Sequence, residues 1–162
     1  MAREGQTPKG GESRLMRSAA RLAAVQALYQ MELSGQPMVT VRDQFEAHRI
    51  GAEIDGAQYR EADIALFRRI LKHALARQAE IDQTTNRILV DKWPLGRIDA
   101  TLRALFRAAG AELLEEPRTP PKVIITEYVD VARAFFPTGK EPGLANAVLD
   151  AMAREARPAA FG

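Results

Sequence analysis

The sequence predicts an all-α fold, a compact bundle of about seven helices in two helical subdomains. Three observations carry this. Apolar residues recur at three- and four-residue spacing in seven successive segments. No segment alternates apolar and polar residues as a half-buried strand would. The joints are short, and most of them hold Gly or Pro.

The first helix is expected over 14–34, with Ser13 as a candidate N-cap and Gly35 and Pro37 as its stop. Leu15, Leu22, Val25, Tyr29 and Leu33 form its apolar stripe. The second, 40–49, turns Val41 and Phe45 inward, with Ile50 following. Residues 51–60 read as a loop. The third, 61–77, uses Ile64, Phe67, Ile70, Leu71 and Leu75, and Asp63 near its start suits the helix dipole. The fourth, 80–91, stops at Trp93-Pro94, because the residue before proline avoids the helical region. The lone Trp93 reads as a plug between helices.

The fifth helix, 97–115, offers Ile98, Leu102, Leu105, Phe106, Leu113 and Leu114. Gly110 inside it costs roughly 1 kcal/mol against Ala, which points to close packing there. A stiff loop with Pro117, Pro120 and Pro121 follows. The sixth helix, 122–136, begins with a strand-like Val-Ile-Ile run, but the helical spacing persists for a dozen residues. The last, 141–157, uses Leu144, Val148, Leu149 and Met152. Residues 1–13 read as a disordered basic tail, 14–157 as one domain with halves of about 14–77 and 78–157, and 158–162 as a C-terminal tail.

The balance of 46% apolar and 27% charged residues is that of a globular protein, with no run that would span a membrane. With no apolar secretory leader and no cysteine, a cytoplasmic protein is expected. Absent cysteine also removes disulfides, thiolate metal sites and a cysteine nucleophile. Charge is uneven: of the formal +2, residues 1–21 hold +3, with five bases against two acids. The excess at the amino end suits a local anion-binding surface.

No catalytic constellation emerges, so the chain is not expected to be an enzyme, and no cofactor is expected. His48 and His73 sit in different helices without carboxylates at ligand spacing. Gly139-Lys140 lacks the preceding glycine of a phosphate loop. Three features remain. Arg14, Arg17 and Arg21 are spaced by three and four, on one side of the first helix, beside its apolar stripe. Such a row suits phosphate, since each guanidinium can pair bidentately, and it equally describes a solvated charged face. Lys122 at the start of the sixth helix and Lys140 before the seventh matter only if the fold brings them beside those arginines.

Four segments then resemble one family. ARLAAVQALYQMELSG (20–35) is similar to the opening helix of NusB antitermination factors, and WPLGRIDATLRALFRAAGAELL (93–114) to their central helix. PKVIITEYVDVARAFF (121–136) and GLANAVLDAMA (143–153) resemble two later family blocks, in the family's order. The chain departs from the family at Ala111, Thr126, Gly143, Leu144 and Ala147.

The resemblance implies an all-helical fold and an RNA-binding role in transcription antitermination. In that role the protein pairs with the ribosomal protein NusE, binds boxA RNA of nascent ribosomal RNA transcripts, and joins the RNA polymerase antitermination complex. It carries RNA contact over to Arg14, Arg17 and Arg21, with Lys122 and Lys140 as further candidates. Tyr29 becomes either a base-stacking residue or a core-edge tyrosine. Partner contact is expected on the central helix, at Asp99, Arg103 and Glu112. Two alternatives stand beside this: an isolated NusB-like module of an RNA methyltransferase, and a homodimeric helical scaffold that hides its basic face.

Overall fold

The computed structural model describes residues 10–48, 53–54, 57–58, 62–89 and 98–161. Seven α-helices occur among them: α1 (Gly10–Ser34), α2 (Met38–His48), α3 (Ile64–Ala76), α4 (Gln78–Leu89), α5 (Ala100–Glu115), α6 (Pro121–Phe135) and α7 (Glu141–Ala156). A 3-10 turn, Pro158–Phe161, follows α7, where a loose tail was expected. Its Phe161 ring lies 4.6 Å from the Arg154 guanidinium carbon.

Inside the expected 51–60 loop, Glu53–Ile54 pairs antiparallel with Ala57–Gln58. Ile50, Trp93 and Arg97, and residues 1–9 of the expected tail, lie outside the described residues. Residues 10–13 are helical rather than tail. Glu12 in the first turn complements the helix dipole, and Arg17 Nη1 donates to Ser13 Oγ at 2.8 Å, one turn away.

α5 is the centre of the bundle, packed on α1 and α3 and also on α4, α6 and α7. Its residues from Leu102 to Leu113 are almost all buried. α4 packs tightly on Gly110: a Cβ there would stand 2.7 Å from Ile81 Cγ2. α3 is capped by Asp63, whose Oδ1 accepts from Leu66 N at 2.9 Å, while Asp63 N donates to Met16 O of α1. α1 ends at Gly35, where φ is 72°, with Gly35 N donating to Met31 O at 3.0 Å.

The buried face of α1 matches the expected stripe only at Val25 and, in part, Leu22. Leu15, Tyr29 and Leu33 are exposed, Leu33 by 62%. The buried residues are Ala20, Ala23, Ala24, Val25, Ala27 and Leu28, together with Arg21. α5 contributes alanines of its own to the core, at 104, 108, 109 and 111. Small side chains let helix axes approach closely, so α1 turns its alanines inward with Val25 and Leu28 and leaves Leu15, Tyr29 and Leu33 outside.

Candidate nucleic-acid interface

Cross-links fix how the helices run. Arg103 Nε of α5 bonds Glu32 Oε1 of α1 at 2.9 Å, and Arg21 Nε of α1 bonds Glu112 Oε2 of α5 at 2.8 Å. α5 is therefore antiparallel to α1. α6 runs parallel to α1: Glu127 meets Ser18 and Arg21, and Phe135 shares a depression with Tyr29 and Leu33. The start of α1, the end of α5 and the start of α6 thus meet at one end of the bundle.

Arg14 and Arg21 differ by seven residues, so they lie nearly on one line of α1. Their surroundings differ because α5 and α6 cover only the later part of that line. Arg14 is exposed and Arg17 partly so. Arg21 is 2% exposed and Glu112 0%. Arg21 clasps Glu112 with Nε and Nη2, at 2.8 and 3.0 Å, and gives Nη1 to Glu127 Oε1 at 2.8 Å. Tyr128 donates to the same Glu112 Oε2, and Ser18 to Glu127 Oε1. Burial alone would disfavour the Arg21 charge. The hydrogen bonds and charge of Glu112, reinforced by Glu127, outweigh it and raise the Arg21 pKa. Burial, then the Glu112 carboxylate, push the Tyr128 phenol well above its ordinary range.

The structure thus places two expected site residues in the core and not on the surface: Arg21 and Glu112 are buried, and each satisfies the other. Sequence reasoning missed Ser18, Glu127 and Tyr128 as members of this network. A signal was present: Glu112 is the only charge between Arg107 and Glu115 in a run of small and apolar residues, and a buried acid requires a partner.

Most described arginines end on a carboxylate, as Arg69 does on Glu116 and Arg107 on Asp82. Among the described residues the exceptions are Arg14, Arg17, Arg118 and Arg157. Arg157 is spent on the carbonyls of Glu112, Leu113, Glu116 and Thr119, where it closes the end of α5. Desolvation there lowers its pKa, since carbonyls return less than carboxylates. Lys122 is exposed at the start of α6, at the same end of the bundle as Arg14 and Arg17.

The other end of α1 carries Tyr29. It is 36% exposed and borders a depression of about 450 Å³ lined also by Gln26, Gln30, Leu33, Ser34, Phe45 and Phe135. Gln30 Nε2 is held by Gln36 and Gln44, at 3.0 and 2.9 Å. Lys140 is exposed at the head of α7, in the turn that follows α6, and so lies toward this end rather than beside Arg14. Asp99 is exposed and caps α5 through Thr101 N at 2.7 Å. Arg103 is engaged by Glu32 and by Ile98 O.

The model of the NusB family matches residues 18–154. The chain belongs to the NusB family. It is 50% identical over 141 residues to the transcription antitermination protein NusB of Agrobacterium fabrum, covering 87% of this chain and 85% of that protein. The protein of the same name from Mesorhizobium japonicum is also 50% identical, covering 87% and 90%. Among solved structures, T. maritima NusB superposes with a TM-score of 0.70 at 26% identity, over 96% of this chain and 98% of that one. A structure of antitermination factors NusB and NusE in complex with dsRNA shares the fold, with a TM-score of 0.69 at 21% identity, over 85% of this chain and 96% of that one. Like other family members, the chain builds its fold from helices, and no helix among the described residues is long and apolar enough to cross a membrane.

Proposed function

We propose that this NusB-family chain is an RNA-binding transcription antitermination factor. It pairs with NusE, binds boxA RNA of nascent ribosomal transcripts and suppresses termination by RNA polymerase. It acts by binding rather than catalysis, in the cytoplasm where such transcripts are made. Half-identical relatives that are antitermination proteins support this, as does a fold shared with a NusB that was solved with NusE and RNA.

The observation that carries the reading is the distribution of free groups along α1. Among the described residues, Arg14 and Arg17, with Lys122 of α6 at the same end of the bundle, have no carboxylate partner, and Tyr29 offers an exposed ring at the other end of α1. Fifteen residues separate Arg14 from Tyr29, about 22 Å of helix, a span suited to several nucleotides of single strand. Phosphates would lie on the cations, and a base would stack on Tyr29 with Lys140 nearby. RNA would then follow α1, with Lys122 and Lys140 beside its two ends, while Asp99 and Arg103 at the start of α5 remain the candidates for NusE.

Fluorescence anisotropy with labelled boxA RNA and a scrambled control, with and without NusE, tests this. Preference for boxA in the presence of NusE is expected. Tyr29→Ala should weaken that binding by about tenfold, the scale of one lost base stack. Equal affinity for scrambled RNA with NusE present would overturn the reading.

A further inference from the structure

We propose that Arg118, on the loop between α5 and α6, is a further phosphate contact that carries the RNA path off α1 and across the end of the bundle. The proposal rests on the RNA-binding reading above. Three observations support it.

The first is position. Glu32 is level with Arg103 and Arg21 with Glu112 along the antiparallel α1–α5 pair. Eleven residues of α1 therefore match nine of α5. α5 ends at Glu115, three residues past Glu112, and α6 starts at Pro121, six residues before the Glu127 that also meets Arg21, so the loop bearing Arg118 lies at the end of the bundle where α1 begins. Lys122 follows one residue into α6, so Arg118, Lys122 and the start of α1 share this end of the bundle.

The second is charge. The acids nearest Arg118 in the chain are already engaged elsewhere: Glu115 accepts from Arg77 Nη1 at 2.7 Å, and Glu116 is bound by Arg69 through Nε and Nη2, at 2.9 and 3.1 Å. Arg118 is exposed and has no ion-pair partner among the described residues. In a chain that neutralises most of its arginines, this guanidinium remains available to an outside anion.

The third is rigidity. The residues flanking Arg118 are fixed on both sides. Arg157 Nη2 donates to Glu116 O at 2.7 Å, Arg157 Nη1 donates to Thr119 O, and Thr119 N donates to Glu116 O at 3.1 Å. Pro117, Pro120 and Pro121 remove further backbone freedom. A free guanidinium on a fixed backbone loses little entropy when it meets a phosphate, whereas one on a loose loop would lose more.

The test uses the full chain with NusE and labelled single-stranded boxA RNA, titrated across a salt series. Arg118→Gln should weaken binding by about threefold and reduce the slope of log affinity against log salt by about 0.7, the share of one phosphate contact to a single strand. Arg118→Lys should keep the slope. Arg133→Gln, which removes an exposed arginine paired with Asp130 on α6, should leave both quantities unchanged. Unchanged affinity and slope for Arg118→Gln, in a protein that does prefer boxA and that loses affinity on Arg14→Gln, would overturn this proposal alone. Absence of any boxA preference in the native protein would overturn the RNA reading and this proposal with it.

Discussion

Replacing Arg21 separates the two roles that its position in the sequence permits. Arg21→Met removes two hydrogen bonds to Glu112 and one to Glu127. Glu112, fully buried, keeps only the Tyr128 hydroxyl among its side-chain partners. Breaking a buried pair in this way costs about 3–5 kcal/mol, because one charge is left desolvated. Domains are stable by only about 5–15 kcal/mol in total, so the loss is a large fraction. With a urea m-value of about 2 kcal/mol/M, the midpoint should fall by roughly 2 M. Urea unfolding followed by circular dichroism at 222 nm measures it. The triple replacement Arg21→Met, Glu112→Leu, Tyr128→Phe removes the fully buried members at once and leaves only the part-exposed Glu127 with Ser18. It should return to within about 1 kcal/mol of the native protein, since an apolar substitute for a buried ionic cluster is often neutral or better. A midpoint that moves by less than about 0.5 M in Arg21→Met, accompanied by a large loss of RNA affinity, would refute the reasoning and return Arg21 to the RNA surface.

Three further outcomes follow from the same packing. Gly110→Ala gains about 1 kcal/mol of helix propensity but sets its Cβ against Ile81 Cγ2, a branch whose rotamer is stiff in a helix. Overpacking of about 1–3 kcal/mol should prevail, and a raised thermal midpoint would count against it. Arg157→Met strips charged donors from four carbonyls at the end of α5 and should cost about 2–3 kcal/mol in urea unfolding. Tyr128 has a raised folded pKa, so its contribution is complete below the ordinary value of 10 and is lost as pH climbs toward the folded value. Tyr128→Phe should lower stability at pH 7 by about 1–3 kcal/mol and make the decline above pH 10 shallower, as read from unfolding curves at pH 7 to 11.

The helices were legible because their periodicity is local: every α-helix described lies within a few residues of the segment that its spacing marks out. The facing of α1 was not. A stripe drawn through the large apolar residues includes Leu22 and Val25, which pack inward, but also Leu15, Tyr29 and Leu33, which do not; burial depends on how near the next helix can come, and alanines permit the nearest approach. The same limit governs the arginines. Arg14, Arg17 and Arg21 look alike at spacings of three and four, and only pairing with a glutamate 91 residues away distinguishes the third. Family resemblance did not expose this, since a motif preserves a buried charge and a surface charge equally well. What separates these arginines is therefore not their spacing but which of them the rest of the fold pairs. Arg21 is held by carboxylates in the core, whereas Arg14, Arg17 and Arg118 have no carboxylate partner among the described residues.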